Sequence, residues 1–176
     1  MGLDMYLFKY PKVTINGKRI ALENLDPDTL EIENPALFQQ LEPFITYPYE
    51  FMPGVRGYHK KVGYWRKANA IHAWFVRNVQ DGEDDCRPYS VSRKQLTELN
   101  DICKCLLHKL KVGSDGELVN AHLAKEMLPS QDGFFFGSTA YDQWYIQDLR
   151  TTCEQLEKVL AELNDDTHYI CYKSSW

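Results

Sequence analysis

Near the start of the chain, apolar Leu3, Met5 and Leu7 alternate with Asp4, Tyr6 and Phe8. This period of two predicts a strand with one apolar face and one mixed face. Val13-Thr14-Ile15 and Lys18-Arg19-Ile20 flank Asn16-Gly17, a pair that supplies the positive φ angles of a two-residue hairpin turn. Prolines at 27, 35, 43, 48 and 53 then deny backbone donors, so only short helical turns, such as one near Pro35–Leu41, and extended aromatic stretches around Tyr47–Phe51 are expected there.

A short strand near His59–Gly63 should feed a helix from about Tyr64 to Val79, ended by Asp81-Gly82. Tyr64, Ala68, Ile71, Phe75 and Val79 share one helical face and should be buried. Ser92-Arg93-Lys94-Gln95 has the form of a capping box, and Leu96, Leu99, Cys103, Leu106 and Leu110 follow at helical spacing, with a stop near Gly113. A short helix over about Leu118–Leu128 ends at Pro129. Thr139 and Asp142 resemble a capping start to a long helix carrying Tyr145, Leu149, Cys153, Leu156, Leu160 and Leu163. His168–Lys173 alternates again and could join the N-terminal sheet. The expectation is one α+β domain over residues 1–176: a small antiparallel or mixed sheet, built from the N-terminal hairpin and the C-terminal strand, packed by three main helices.

Composition narrows the function classes. At 176 residues, 44% of them hydrophobic, the chain can bury roughly 70% of its unfolded surface in one core. A net charge of −5 argues against a general nucleic-acid binder, since only Arg56–Lys67 approaches a cationic cluster. Five cysteines, Cys86, Cys103, Cys105, Cys153 and Cys171, form no C-x-x-C pair, which fits reduced packing thiols rather than a zinc site or disulfide framework. No apolar run reaches the roughly 20 residues of a membrane span, and Tyr6 stands where a myristoylation signal needs Ser or Thr. A soluble cytoplasmic protein is expected, with no membrane partner and no cofactor.

Chemistry-bearing side chains concentrate between Gly63 and Cys86 and between Gln131 and Trp144. If Tyr64–Val79 is helical, Trp65, Asn69 and His72 form a second face, with Arg66 and Lys67 beside it. That set offers a stacking ring, an amide, a group titrating near neutrality and cations for an anion, which suits a nucleotide-like ligand. The same residues suit a structural role better, with Trp65 and Trp74 packed on strands and His72 bonded to a backbone carbonyl. Asp81, Glu83, Asp84 and Asp85 lack the spacing of a calcium loop and read as a solvated acidic turn that ends the helix. His72 with Asp84 and Cys86 makes a hydrolase-like set only if folding brings them within hydrogen-bond reach. The Gly-flanked segment 131–139 entering a helix offers Ser138 and Thr139 as anion ligands or as caps, followed by Tyr141 and Trp144. Both aromatic segments could line one cleft between the N-terminal halves of their helices.

The opening Met1-Gly2-Leu3-Asp4-Met5-Tyr6-Leu7, the run Gly63–Asn69 with Ile71-His72 and Trp74-Phe75-Val76, the triplet Asp84-Asp85-Cys86, and Gly133–Thr139 with Tyr141-Asp142 together resemble a family of small uncharacterised proteins encoded by bacteriophages and prophages. The resemblance implies expression in the bacterial cytoplasm and action on the host or its immune systems. It brings no catalytic roles. The expected function is therefore that of a non-enzymatic binding protein, a counter-defence factor that captures a nucleotide-like ligand or masks a host protein, with Trp65, Arg66, Lys67, Asn69, His72, Ser138, Thr139, Tyr141 and Trp144 as contacts. The alternative is an enzyme acting on a nucleotide or phosphoester with His72 as acid or base and Asp84 or Asp85 holding a metal. Mimicry of nucleic acid by the acidic patches ranks last, because acids alternate with Lys and Arg. A homodimer is compatible with an apolar chain of this size, although no heptad seam demands one.

Overall fold

The computed structural model describes residues 2–22, 25–46 and 57–176, and the aromatic stretch expected around Tyr47–Phe51 lies outside them. Strand β1 (Asp4–Pro11) is flanked by β6 (Lys60–Arg66) and β8 (His168–Ser175), and β7 (Tyr89–Val91) closes the sheet in the order β6-β1-β8-β7, antiparallel throughout. The C-terminal strand thus joins the N-terminal one, as its alternation predicts. The Asn16-Gly17 hairpin also forms, with φ of 51° and 75° at its turn, joining β2 (Val13–Ile15) to β3 (Lys18–Ile20). It makes its own two-stranded sheet instead of extending the main one.

One face of the main sheet carries Leu3, Met5, Leu7, Trp65, Ile170 and Tyr172 into the principal core. They meet α3 (Asn69–Asn78), α4 (Arg93–Lys109) and α6 (Gln143–Glu162), while the shorter α5 (Ala121–Met127) contributes Ala124. The Ser92–Gln95 capping box is present at α4. Leu96, Leu99, Cys103 and Leu106 are buried along it, and Leu110 packs partly against the same core. The guanidinium of Arg93 donates to the carbonyls of Leu160 and Leu163, satisfying orphan acceptors at the end of α6. A second cluster of Val13, Leu30, Leu41 and Tyr58 is built from the hairpin, α1 (Pro27–Glu33), α2 (Pro35–Leu41) and the pair β4 (Ile45–Thr46) and β5 (Gly57–Tyr58). It meets the sheet at one end, where Phe44 leans on His168 and Arg19 sits over Tyr169.

Two expected boundaries move. The helix expected from Tyr64 begins only at Asn69, because the strand runs on to Arg66 in register with β1, pairing Met5 with Trp65 and Tyr6 with Tyr64. Burial of the Trp65 ring on the sheet's inner face decides the conformation there, overriding a helical spacing that Tyr64 fits by coincidence. Lys67, at φ +60°, then makes the corner into α3. At the start of α6 the cap is Asp142 and not Thr139, with Oδ1 accepting from the amides of Trp144 and Tyr145.

The edge of β6 is closed by one side chain from α6. Gln155 Oε1 accepts from Tyr64 N at 2.5 Å and Gln155 Nε2 donates to Tyr64 O at 2.9 Å, the two bonds a neighbouring strand would make. Gly63 admits this approach: a Cβ there would lie 3.2 Å from Leu7 Cβ and 3.4 Å from Gln155 Oε1.

Candidate functional site

Helix α3 is buried from Asn69 to Val76, so the second, ligand-facing side expected of it is part of the core. Trp65 is 3% exposed and its indole N–H donates to Thr152 Oγ1 at 2.9 Å. No face of that ring is available for stacking a base. Arg66 is exposed at the end of β6, on the opposite face of the sheet from Trp65. Lys67 lies at the corner, its backbone N–H donating to Leu3 O.

Asn69 acts as a brace. Its Nδ2 donates to the carbonyls of Ser138 at 2.7 Å and Phe136 at 3.3 Å, and its Oδ1 accepts from Gln131 N at 3.3 Å. The amide thus holds segment 131–138 at three points. Around that brace Lys67 and Phe135 both adopt left-handed backbone, at φ +60° and +64°, which costs about 1–2 kcal/mol each for a residue with a Cβ. The braced segment buries Phe136 and leaves Phe134 and Phe135 81% and 51% exposed, with ring centroids 4.2 Å apart.

His72 is wholly buried between two partners. Its Nε2 lies 2.8 Å from Asp84 Oδ2 and its Nδ1 lies 2.6 Å from the Tyr172 hydroxyl. Burial, outweighing the carboxylate, holds the imidazole pKa below its ordinary value. The chemistry of the partners fixes the protons. A carboxylate only accepts, so the neutral ring donates from Nε2 to Asp84 and accepts at Nδ1 from Tyr172. Trp176 Nε1 donates to the other Asp84 oxygen at 3.0 Å. Folding therefore does bring His72 to Asp84, but it commits both ring nitrogens and leaves no lone pair for Cys86 or a substrate. Asp85 and Glu83 are engaged with Arg87, and Asp85 also accepts from Tyr89. Among the described residues no three His, Cys, Asp or Glu side chains gather as metal ligands.

At the start of α3, Asn69 is bonded to the 131–138 segment instead of lining a cleft shared with α6. The α6 amide donors proposed for an anion are taken by Asp142. Ser138 Oγ accepts from Ala140 N, Thr139 is exposed, the Tyr141 hydroxyl accepts from Ser130 N, and Trp144 is 68% exposed. Among the described residues, two concavities lie elsewhere: a polar hollow of about 260 Å³ beside Gln80, Glu83 and Tyr89, and an open groove of about 860 Å³ along α4 at Ile102 and Met127.

The outer face of the main sheet is where aromatic and cationic groups converge. β1 places Tyr6, Phe8 and Tyr10 there, in register with Tyr64 and Lys61 on one side and Lys173 and Tyr169 on the other. The rings form a continuous series. Tyr64 to Tyr6 is 5.4 Å between centroids, Tyr6 to Phe8 is 5.6 Å, Phe8 to His59 is 4.7 Å, His59 to Tyr10 is 5.4 Å and Tyr10 to Tyr169 is 5.1 Å. Lys61 Nζ sits 5.5 Å from the Tyr64 centroid and Arg19 sits 5.3 Å from that of Tyr169, both within cation–π reach. Burial and then the Lys173 charge lower the His59 pKa. On this face the three strands carry a single carboxylate, Asp4, against Lys61, Arg66 and Lys173, while Lys9 and Lys60 pair on the opposite face. Asp4 is occupied by the Tyr64 hydroxyl at 2.5 Å, which pushes that phenol up to about 12. Tyr64 is 39% exposed, and Tyr6, Phe8, Tyr10 and Tyr169 are half-buried.

Sequence reasoning notes the mixed face of β1 but stops short of it as a site. The available signal was an aromatic at every second position from Tyr6 to Tyr10. Comparison with family models, with curated proteins and with solved structures finds no match for the chain.

Proposed function

We propose that this chain is a non-enzymatic binding protein that captures a nucleotide-like ligand, and that the outer face of the β6-β1-β8 sheet, not the α3 face, is the contact surface. The observation that carries this is the ring series from Tyr64 to Tyr169 with Lys61, Arg66, Lys173 and Arg19 around it and one occupied carboxylate on its strands. Aromatic faces stack on bases for about 1–3 kcal/mol each without reading their edges, and cations beside them meet the phosphate. His72, with both nitrogens committed, supports an architectural role rather than a catalytic one. With the sequence resemblance to phage proteins, this favours a counter-defence factor that sequesters a nucleotide signal in the host cytoplasm.

Isothermal titration of the full chain with a panel of cyclic and linear mononucleotides and dinucleotides tests it. Heat is expected with at least one of them, and Tyr64→Ala with Lys61→Ala should remove it while the fold persists by circular dichroism. Silence across the panel, or heat that the double variant leaves unchanged, overturns the nucleotide reading.

A second reading, masking of a host protein, is favoured by one separate observation. Phe134 and Phe135 project as adjacent exposed rings from a segment that Asn69 holds rigidly, the form of a protein-binding anchor. Substituting Phe134→Ser with Phe135→Ser and finding unchanged recovery of host proteins with the tagged chain would remove it.

A further inference from the structure

We infer that the outer sheet face binds single-stranded nucleic acid across several nucleotides, an inference that rests on the nucleotide-binding reading above and names its ligand class. A mononucleotide needs one ring and one cation. The face offers a series that crosses all three strands, from Tyr64 on β6 through Tyr6 and Phe8 on β1 to Tyr10 and, on β8, Tyr169. Residues two apart on a strand repeat at about 6.7 Å. Bases on such a platform must be unstacked from one another, which a single strand permits and a duplex does not.

Charge supports a strand over an isolated base. Lys61 lies in register with Phe8, Lys173 with Tyr6 and Arg66 with Asp4, so cations flank the rings along the face where a phosphodiester backbone would run. The net charge of −5 belongs to the whole chain, and these three strands carry a single acid. These strands are therefore locally cationic in a chain of net negative charge. Binding should be confined to their outer face and should depend on salt through about three neutralised phosphates, a log–log slope near −2 for a single strand.

The test is fluorescence anisotropy of the full chain with labelled oligothymidylates and oligouridylates, from a single nucleotide to about a dozen, and with a duplex of the longest length. Affinity is expected to rise with length until the series is filled, and the duplex should bind at least about tenfold more weakly. The two sugar series show whether the ligand is DNA, RNA or either. Tyr64→Ala should weaken binding about tenfold. Tyr6→Leu, which keeps an apolar side chain but removes the ring, should do the same with the fold intact by thermal melt. Lys61→Glu with Lys173→Glu should flatten the salt slope. If the mononucleotide binds, loses affinity in Tyr64→Ala, and nothing is gained with length, the single-strand inference fails and the nucleotide reading stands. If neither nucleotide nor oligonucleotide binds, both fail, and equal affinity for duplex and single strand also overturns the inference.

Discussion

His72 Nε2 donates across 2.8 Å to Asp84, twelve residues further on, and this bond ties the middle of the loop after α3 back onto the buried face of that helix. Tyr172 from β8 closes the other side of the ring, so helix, loop and sheet meet at one imidazole. Removing either partner leaves polar groups buried without a bond. Asp84→Ala should cost about 1–3 kcal/mol, and His72→Ala, which adds a cavity and orphans the Tyr172 hydroxyl, about 3–5 kcal/mol. Urea midpoints at unchanged m-value measure both. A loss below about half a kcal/mol for His72→Ala would mean the network contributes nothing.

The same geometry sets a pH dependence. The folded His72 pKa lies below the unfolded value near 6.5, chiefly through burial, and those of His59 and His168 are lowered in the same direction. The unfolded chain therefore binds more protons in the window beneath 6.5. The stability tied to keeping these rings neutral is full above that value and is lost as pH falls through the lower folded values. Stability should drop as pH falls below about 6.5, and His72→Gln should make that drop shallower even though the variant starts less stable. A parallel pair of profiles would show that His72 does not titrate in this window.

The hairpin at Asn16-Gly17, the Ser92–Gln95 box and the closing strand were legible because each is settled by neighbours a few residues away or by a strict period. Trp65 was misplaced onto a helix because its environment is decided by Met5 and Thr152, distant in sequence. Three of the expected contacts, Trp65, Asn69 and His72, are buried for the same reason. Asn69 and His72 are polar side chains inside the core, satisfied by partners sixty or more residues away in Ser138 and Tyr172, and no local pattern distinguishes such a residue from a ligand. His72–Asp84 is the exception, close enough in sequence for the pairing to be conceived. The outer sheet face needed three strands from separate parts of the chain, so only its central β1 row could be seen in advance.

The brace on segment 131–138 gives a local prediction. Asn69→Ala removes hydrogen bonds to three backbone groups and should cost about 2–4 kcal/mol, with amide exchange accelerating at Gln131 through Ser138 before the rest of the chain opens. Gly137→Ala attacks the same corner from the other side. At φ +94° a Cβ is strained, and it would lie 3.0 Å from Lys67 Cβ and 3.2 Å from Lys67 O. A loss of about 2 kcal/mol is expected there. If exchange in the segment is already as fast as in an unfolded peptide in the unmutated chain, the brace does not hold it.

Asp148 on α6 carries the opposite linkage sign from His72. Burial first, and then the charge of Asp142, raise its carboxyl from the usual range to about 7. The folded state therefore holds this proton more tightly than the unfolded chain does. The stability that follows is complete below the unfolded carboxylate value and is lost as pH rises through about 7, where the half-buried group must ionise. Asp148→Asn keeps the shape and has no proton to lose. It should match the original chain below about pH 4 and exceed it by about 1–3 kcal/mol above pH 8, allowing for screening of a partly exposed site. Because His72 weakens the fold toward acid and Asp148 toward base, stability of the unmutated chain should decline on both sides, and Asp148→Asn should remove the decline on the basic side. Chemical denaturation across the range decides it: a difference between the two proteins that does not grow with pH would mean that Asp148 titrates normally in the fold.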